Sequence, residues 1–277
     1  MELYNILLYF FIYGFLGWCI EVGFAACKQR KFVNRGFLNG PICPIYGFGI
    51  TSVILLLEPL KENLLFFYCC SVILVTVLEG FTGWIMDKIF HNKWWDYSKR
   101  AFNIGGYVCL LFSCIWGLAC VGIVYFIHPL IRAGVQLLPH FIGIILLFIF
   151  IGSILADIIV TSCAIFQFNK SLEQLEIITK EMRLISNQIG EDISQYVLYA
   201  LERQEESKRK LNDMKLEVSE EIHTQINALR TRAKEIQRGI PKTGQRLIEA
   251  FPHMESRKHN LQLELLKKKL EQHFPKK

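Results

Sequence analysis

The sequence lacks the signatures of the common soluble enzymes. It has no G-x-x-x-x-G-K-[ST] phosphate loop, so the chain carries no P-loop with which to hydrolyse ATP. H-E-x-x-H, G-x-S-x-G and G-x-G-x-x-G are missing too, which removes the zinc-protease, serine-hydrolase and dinucleotide-binding readings. There are nine cysteines, all within residues 1–166, and no two form C-x-x-C. They read as small apolar packing residues with free thiols, not as a disulfide framework or zinc site. The seven histidines share no metal-ligand spacing in the apolar part and read as interfacial or solvent residues, so neither metal nor cofactor is expected. The start, Met1-Glu2-Leu3-Tyr4, has no basic leader region, and the first apolar segment reads as a retained span. A concentrated basic patch is also wanting, which argues against a nucleic-acid partner.

Charge is scarce where apolar residues are dense. Of the 277 residues 52% are hydrophobic and 20% charged, but residues 1–166 hold only 10 of the 31 Lys+Arg and 8 of the 25 Asp+Glu. Two regions in two solvents follow: a transmembrane domain over 1–168 and a tail over 169–277. A bilayer core needs about 20 apolar residues per helix. Candidate spans are 3–27, 42–58, 64–86, 104–127 and 139–166, the second short and opened by Gly40-Pro41-Ile42-Cys43-Pro44. The predicted fold is an all-α polytopic bundle of about five transmembrane helices with a helical, coiled-coil-like tail.

Lysine and arginine in the loops set the orientation. Loop 28–41 carries Lys28, Arg30, Lys31 and Arg35, and loop 87–103 carries Lys88, Lys93, Lys99 and Arg100. Loops 59–63 and 128–138 carry one basic residue each, Lys61 and Arg132. The alternation puts the N-terminus outside and both basic loops and the tail in the cytoplasm. Trp18, Trp84, Trp94 and Trp95 fall near the cytoplasmic ends, as interfacial anchors do.

Residues 170–238 have no proline and one glycine. Leu172, Leu175, Ile178, Met182, Ile185, Ile189, Ile193 and Val197 recur at helical spacing. After a charged break the stripe resumes at Leu211, Met214, Val218, Ile222, Ile226, Leu229, Ala233 and Ile236. Such a stripe packs on a neighbouring helix or mediates self-association. Gly239-Ile240-Pro241 ends it, and a second helix near 244–273 follows, with Leu247, Leu261, Leu265 and Leu270.

Three carboxylates interrupt the spans: Glu21, Glu79 and Asp157. Ionisable groups in hydrocarbon are costly and turn toward the bundle interior, a partner or water. At 1.5 Å per residue, Glu21 and Glu79 lie ~10–12 Å inside the cytoplasmic boundary and Asp157 ~15–18 Å. The cytoplasmic loops supply partners: Asn34, Arg35, Asn39 and Tyr46 from the first, Trp95, Asp96, Tyr97 and Asn103 from the other. Glu21, Arg35 and Glu79 can lock helix packing as a buried ion-pair network. They can equally line a polar cavity open to the cytoplasm, which binds a substrate or relays protons. A short helix behind a Gly/Pro break follows the broken-helix logic of transporter sites.

The loop motifs carry a resemblance. Phe15-Leu16-Gly17-Trp18 with Glu21, Asn34-Arg35-Gly36-Phe37-Leu38-Asn39-Gly40-Pro41 and Pro44-Ile45-Tyr46-Gly47 are one group. Glu79, Thr82-Gly83-Trp84, Trp95-Asp96-Tyr97-Ser98, Asn103-Ile104, Trp116-Gly117 and His128-Pro129 follow in order. Over residues 5–130 the chain resembles the bacterial family named "Putative ABC-transporter type IV". The resemblance implies a multi-pass protein of the bacterial cell membrane, a permease-like transport component served by a separate ATPase subunit. Two other readings stand beside it: a membrane-anchored scaffold or sensor working through its tail, and an intramembrane acid–base enzyme built on Glu21 with Glu79, or on Asp96.

Overall fold

The computed structural model describes residues 2–202 and 207–273, and describes no side chain at 192–193, 196–197, 199–221 or 271–273. The fold is all-α, and four helices are long and apolar enough to cross a membrane. In chain order the elements begin with α1 Leu3–Gln29, α2 Pro44–Leu57 and α3 Leu64–Phe90. Three two-residue strands follow: β1 Asn92–Lys93, β2 Asn103–Ile104 and β3 Val108–Cys109. Then come α4 Leu110–Gly122, a π-helical turn Ile123–Ile127, α5 His128–Leu137, α6 His140–Glu202, α7 Ser207–Arg238, α8 Lys242–Ala250, β4 Glu255–Ser256 and α9 Asn260–His273. The chain forms two compact units, Met1–Phe166 with Lys242–Lys277, and Gln167–Pro241. Residues 242–273, which the sequence reading places in the tail, thus pack with the apolar unit.

Local chemistry sets the helix ends. Pro44 opens α2, where a missing N–H costs nothing. Asn63 caps α3 by accepting from the Phe66 N–H at 3.1 Å. Arg30 and His91 close α1 and α3 in the left-handed region, at φ 53° and 55°. With its short 3₁₀ extension, α2 reaches Leu60, 17 residues or about 25 Å, less than a hydrocarbon core. The fourth span differs from its sequence reading. Residues 103–109 form a hairpin of β2 against β3, so the helix starts at Leu110 and runs to Leu137. The stretch read as loop 128–138 is therefore helical. The π turn lies just before Pro129, and the His128 N–H reaches back five residues to the Ile123 carbonyl. A proline ring disturbs the i−4 ladder in this way.

Burial inside the first unit centres on Leu8, Phe11, Val53, Ile54, Phe67, Val124 and Leu147. His128, read from sequence as interfacial, is buried there: Tyr13 Oη lies 3.0 Å from its Nδ1 and the Tyr9 ring stands edge-on at 4.9 Å. Trp94 is no interfacial anchor either. It is buried among Phe37, Phe90 and Phe251. The outward faces carry Leu65, Ile73, Phe81, Leu118, Phe126, Phe148 and Ile159, all more than half exposed. A water-facing surface this apolar would associate, whereas a lipid-facing one is at rest.

In the second unit α7 runs antiparallel to the 167–202 part of α6. Gln167 to Gln174 lie beside Ile236 and Gly239, and Glu181 to Ile185 beside Gln225 to Leu229. Leu172, Leu175 and Ile178 of the expected stripe are buried. The stripe positions Ile193, Val197, Leu211, Met214 and Val218 lie outside the described side chains. The expected helix near 244–273 is two helices split by β4. In α9 the buried face is Gln262, Leu263 and Leu266, while Leu261 and Leu265 are exposed.

Helices α1 and α2 approach closely. A Cβ at Gly17 would strike the Tyr46 ring, and one at Gly47 would sit 2.6 Å from the Phe10 carbonyl oxygen. Gly49, on the same helix, faces open space. Gly47→Leu is expected to cost about 1–3 kcal/mol, as overpacking does. Thermal unfolding of the detergent-solubilised protein checks this, with Gly49→Leu close to wild type as the control.

Candidate functional site

Glu21 of α1, Tyr46 of α2 and Glu79 of α3 meet side chains of the 30–43 loop and the 92–109 hairpin. The 30–43 loop is irregular yet held throughout. Asn34 Oδ1 accepts from Trp18 Nε1 at 2.7 Å and from the Gly36 N–H at 3.0 Å. Its Nδ2 donates to the Asn39 carbonyl at 2.8 Å. From α6, Asp157 accepts from the Asn39 N–H and Nδ2 at 3.1 and 3.0 Å and from the Gly40 N–H at 2.7 Å. Thr161 joins them, donating to Asp157 Oδ1 at 3.0 Å and accepting from Asn39 Nδ2 at 2.9 Å.

The loop's carbonyls are gathered from the other side by α8. Arg246 donates to the carbonyls of Asn34, Gly36 and Phe37 at 3.1, 2.7 and 2.9 Å. Burial pushes its guanidinium below the ordinary arginine value, and the Asp157 charge pulls it back. Thr243 donates to Asn39 Oδ1 at 3.1 Å, and Lys31 pairs with Glu249 at 3.3 Å. A second staple lies along the same segment. Arg257 grips Asp87 through Nε at 3.1 and 3.0 Å and Nη2 at 2.6 Å, while Tyr107 donates to Asp87 at 2.5 Å. The hydrogen bonds to Asp87 raise Arg257 above its usual value. Beside them β4 pairs antiparallel with β1, Asn92 opposite Ser256.

The 92–109 hairpin is braced internally. Lys93, whose side chain is 6% exposed, pairs with Asp96 and donates to Ser98 Oγ and the Gly105 carbonyl. Ser98 donates to Asp96 through Oγ at 2.6 Å and N–H at 3.1 Å. Burial pushes the Asp96 carboxyl up, but the bonds from Lys93 and Ser98 together outweigh it and hold the group down at about 2. Asn103 closes the turn by donating to the carbonyls of Ser98 and Arg100 and accepting from the Gly106 N–H. Gly106, at φ +73°, leaves room for Lys93 and Asp96. Trp95 donates to the Tyr107 carbonyl at 2.8 Å.

Five of the residues singled out from sequence remain for the interior. Arg35 Nε lies 3.2 Å from Glu21 Oε2 without aiming its N–H along that line, so the contact is an ion pair more than a hydrogen bond. Tyr46 donates to Glu21 Oε1 at 2.6 Å. Tyr97 lies over Phe112 with ring centres 5.0 Å apart and points its hydroxyl at Glu79 Oε1, 3.4 Å away. Glu79 Oε2 is buried without a partner. Burial raises the Tyr97 hydroxyl above its ordinary value, and the Glu79 and Glu21 charges raise it further, which places both acids in one electrostatic neighbourhood.

Glu21, Arg35, Tyr46, Glu79 and Tyr97 thus converge. Asn34, Asn39, Trp95, Asp96 and Asn103 brace the two loops, and Asp157 fastens the first loop instead of joining Glu21 and Glu79. Sequence reasoning missed Arg246, Arg257, Asp87, Thr161 and Tyr107. The break at Gly239-Ile240-Pro241 was visible as the end of one helix, but nothing in the pattern said that the next one returns to the loops. Among the described residues no group of His, Cys, Asp and Glu is arranged to hold a metal ion.

Two expectations follow. Arg246→Ala should free the segment after Gly239, seen as several-fold faster protease cleavage within 239–246. Arg246→Lys should not restore it, because an ammonium cannot fork across three carbonyls. Asp96 lies below its unfolded value near 3.8, so its contribution is complete above that pH and lost as pH falls toward about 2. Asp96→Asn should therefore cost about 1–3 kcal/mol at neutral pH. Hydrogen exchange at 97–106 should report the loosening, and the difference from wild type should shrink on acidification.

The model of the family described as "Putative ABC-transporter type IV" matches residues 8–162, more than half of the chain. The match takes in Asp157 and Thr161 and stops before Arg246 and Arg257. No curated protein and no solved structure matches.

Proposed function

The chain belongs to the Putative ABC-transporter type IV family, and from that premise we propose that it is the permease-like membrane component of a transporter. Its working site is the cluster of Glu21, Arg35, Tyr46, Glu79 and Tyr97. The observation that carries this reading is the unequal state of the two acids. Glu21 is matched by Arg35 and Tyr46, while Glu79 has one long hydrogen bond and a buried oxygen with no partner. A network serving only to lock helices would satisfy both. An intramembrane carboxylate left short of partners is the ordinary mark of a group that meets a solute or an ion.

In this reading the N-terminus is outside, and the 30–43 loop, the 92–109 hairpin and the 242–273 segment face the cytoplasm, where Lys and Arg collect. The chain itself is not an enzyme. Energy comes from a separate ATPase subunit or an ion gradient, and the tail hairpin serves self-association or a partner. The test compares small-molecule pools inside and outside cells that express wild type, Glu79→Gln or no protein. Glu79→Gln should reach the membrane at wild-type level and give the pools of cells without the protein. Wild-type pools from that variant would sink the proposal.

A further inference from the structure

We infer that Glu79 is a proton-binding site, and that the proton is carried there on Oε2 while the surrounding arrangement stays closed. This rests on the permease reading and names one ligand of that same site.

The argument begins with what surrounds Glu79. The hairpin presents Tyr97, whose hydroxyl lies 3.4 Å from Glu79 Oε1. Gly83, one helical turn further along α3, is covered by the rings of Tyr107 and Trp95. Glu21 comes from α1, Tyr46 from α2 and Arg35 from the loop, and these three are already engaged with one another. Among the described residues no cation lies within ion-pair distance of Glu79. Arg35 and Lys93, the cations of the two loops that pair inside the site, are held by Glu21 and Asp96.

An ionised carboxylate in this place would keep a full charge in a poorly solvating setting, with one hydroxyl at 3.4 Å to stabilise it. The neutral acid removes most of that cost and needs only a proton. No volume is required, which suits an oxygen that is already buried. The step balances simply: Glu79 Oε2 gains a proton from the aqueous side and later returns it, with no bond to carbon made or broken. Glu21 is already matched by Arg35 at 3.2 Å and by the Tyr46 hydroxyl at 2.6 Å. The two acids therefore differ in what holds them: Glu21 has an ion pair and a short hydrogen bond, Glu79 one long hydrogen bond and a buried oxygen without a partner.

Infrared spectroscopy of the purified full-length protein in lipid vesicles tests this through the carboxylic-acid C=O stretch. A band is expected near neutral pH, lost in Glu79→Gln, retained in Glu21→Gln, and fading as the pH is raised. A second measurement needs no variant. A hydrophobic carbodiimide, which attacks protonated carboxyls in apolar surroundings, should modify Glu79 in the wild-type protein, and peptide mass spectrometry should show labelling fall several-fold from acid to alkaline pH. Labelling at Glu21 in preference to Glu79, no adduct at Glu79 at acid pH, or an acid band unchanged by Glu79→Gln would overturn the proposal. Neither readout depends on transport. A Glu79 that titrates in a protein that moves no solute would keep this inference and remove the permease reading; the reverse pair of results would do the opposite.

Discussion

Buried irregular backbone must find its hydrogen bonds inside the protein, and the 34–40 stretch of the first loop obeys that constraint. The loop's N–H groups at Asn39 and Gly40 are taken by one carboxylate, Asp157, and its carbonyls at Asn34, Gly36 and Phe37 by one guanidinium, Arg246. Opposite charges thus grip opposite ends of the peptide dipoles. The tight entry into α2 at Cys43 and Pro44, and through it the aim of Tyr46 at Glu21, depends on that grip. So does Arg35, which lies between Asn34 and Gly36, whose carbonyls Arg246 both holds through Nη1.

Placed on this frame, the interior polar groups separate by how well they are satisfied. Lys93 with Asp96 and Arg257 with Asp87 are fully engaged and belong to the scaffold. Glu21 is engaged as well. Among the described carboxylates Glu79 is the exception, with a buried oxygen that has no partner, and it lies where α3 meets the hairpin. A residue whose environment is assembled from several elements responds to small movements of any of them. That is the property expected of a group at the working point of a membrane protein, and it would be a poor choice for a structural strut.

The sequence made the bundle legible because lipid imposes a coarse rule: long apolar runs become helices, and their number and order can be counted. It also made the inner residues legible, since a carboxylate within such a run is conspicuous. It was least informative where structure depends on distant pairing. Residues 103–109 read as the start of a span because their hydropathy is high, yet Gly105 and Gly106 at positive φ turn them into a hairpin. His128 read as a boundary residue beside Pro129 but is buried against Tyr9 and Tyr13. The leucines of α9 suggested one stripe, and the packed face is another. Arg246 looked like any charged residue in a charged tail, because a bond between positions 210 apart leaves no local periodicity.

That separation along the chain bears on how the protein is made. The first loop is synthesised early, soon after α1, while its principal clamp emerges only when α8 leaves the ribosome. Helices reach the bilayer in sequence, so the apolar bundle is in place well before Arg246 exists. For most of biosynthesis the carbonyls of Asn34, Gly36 and Phe37 lack the guanidinium that holds them, and that clamp is completed last.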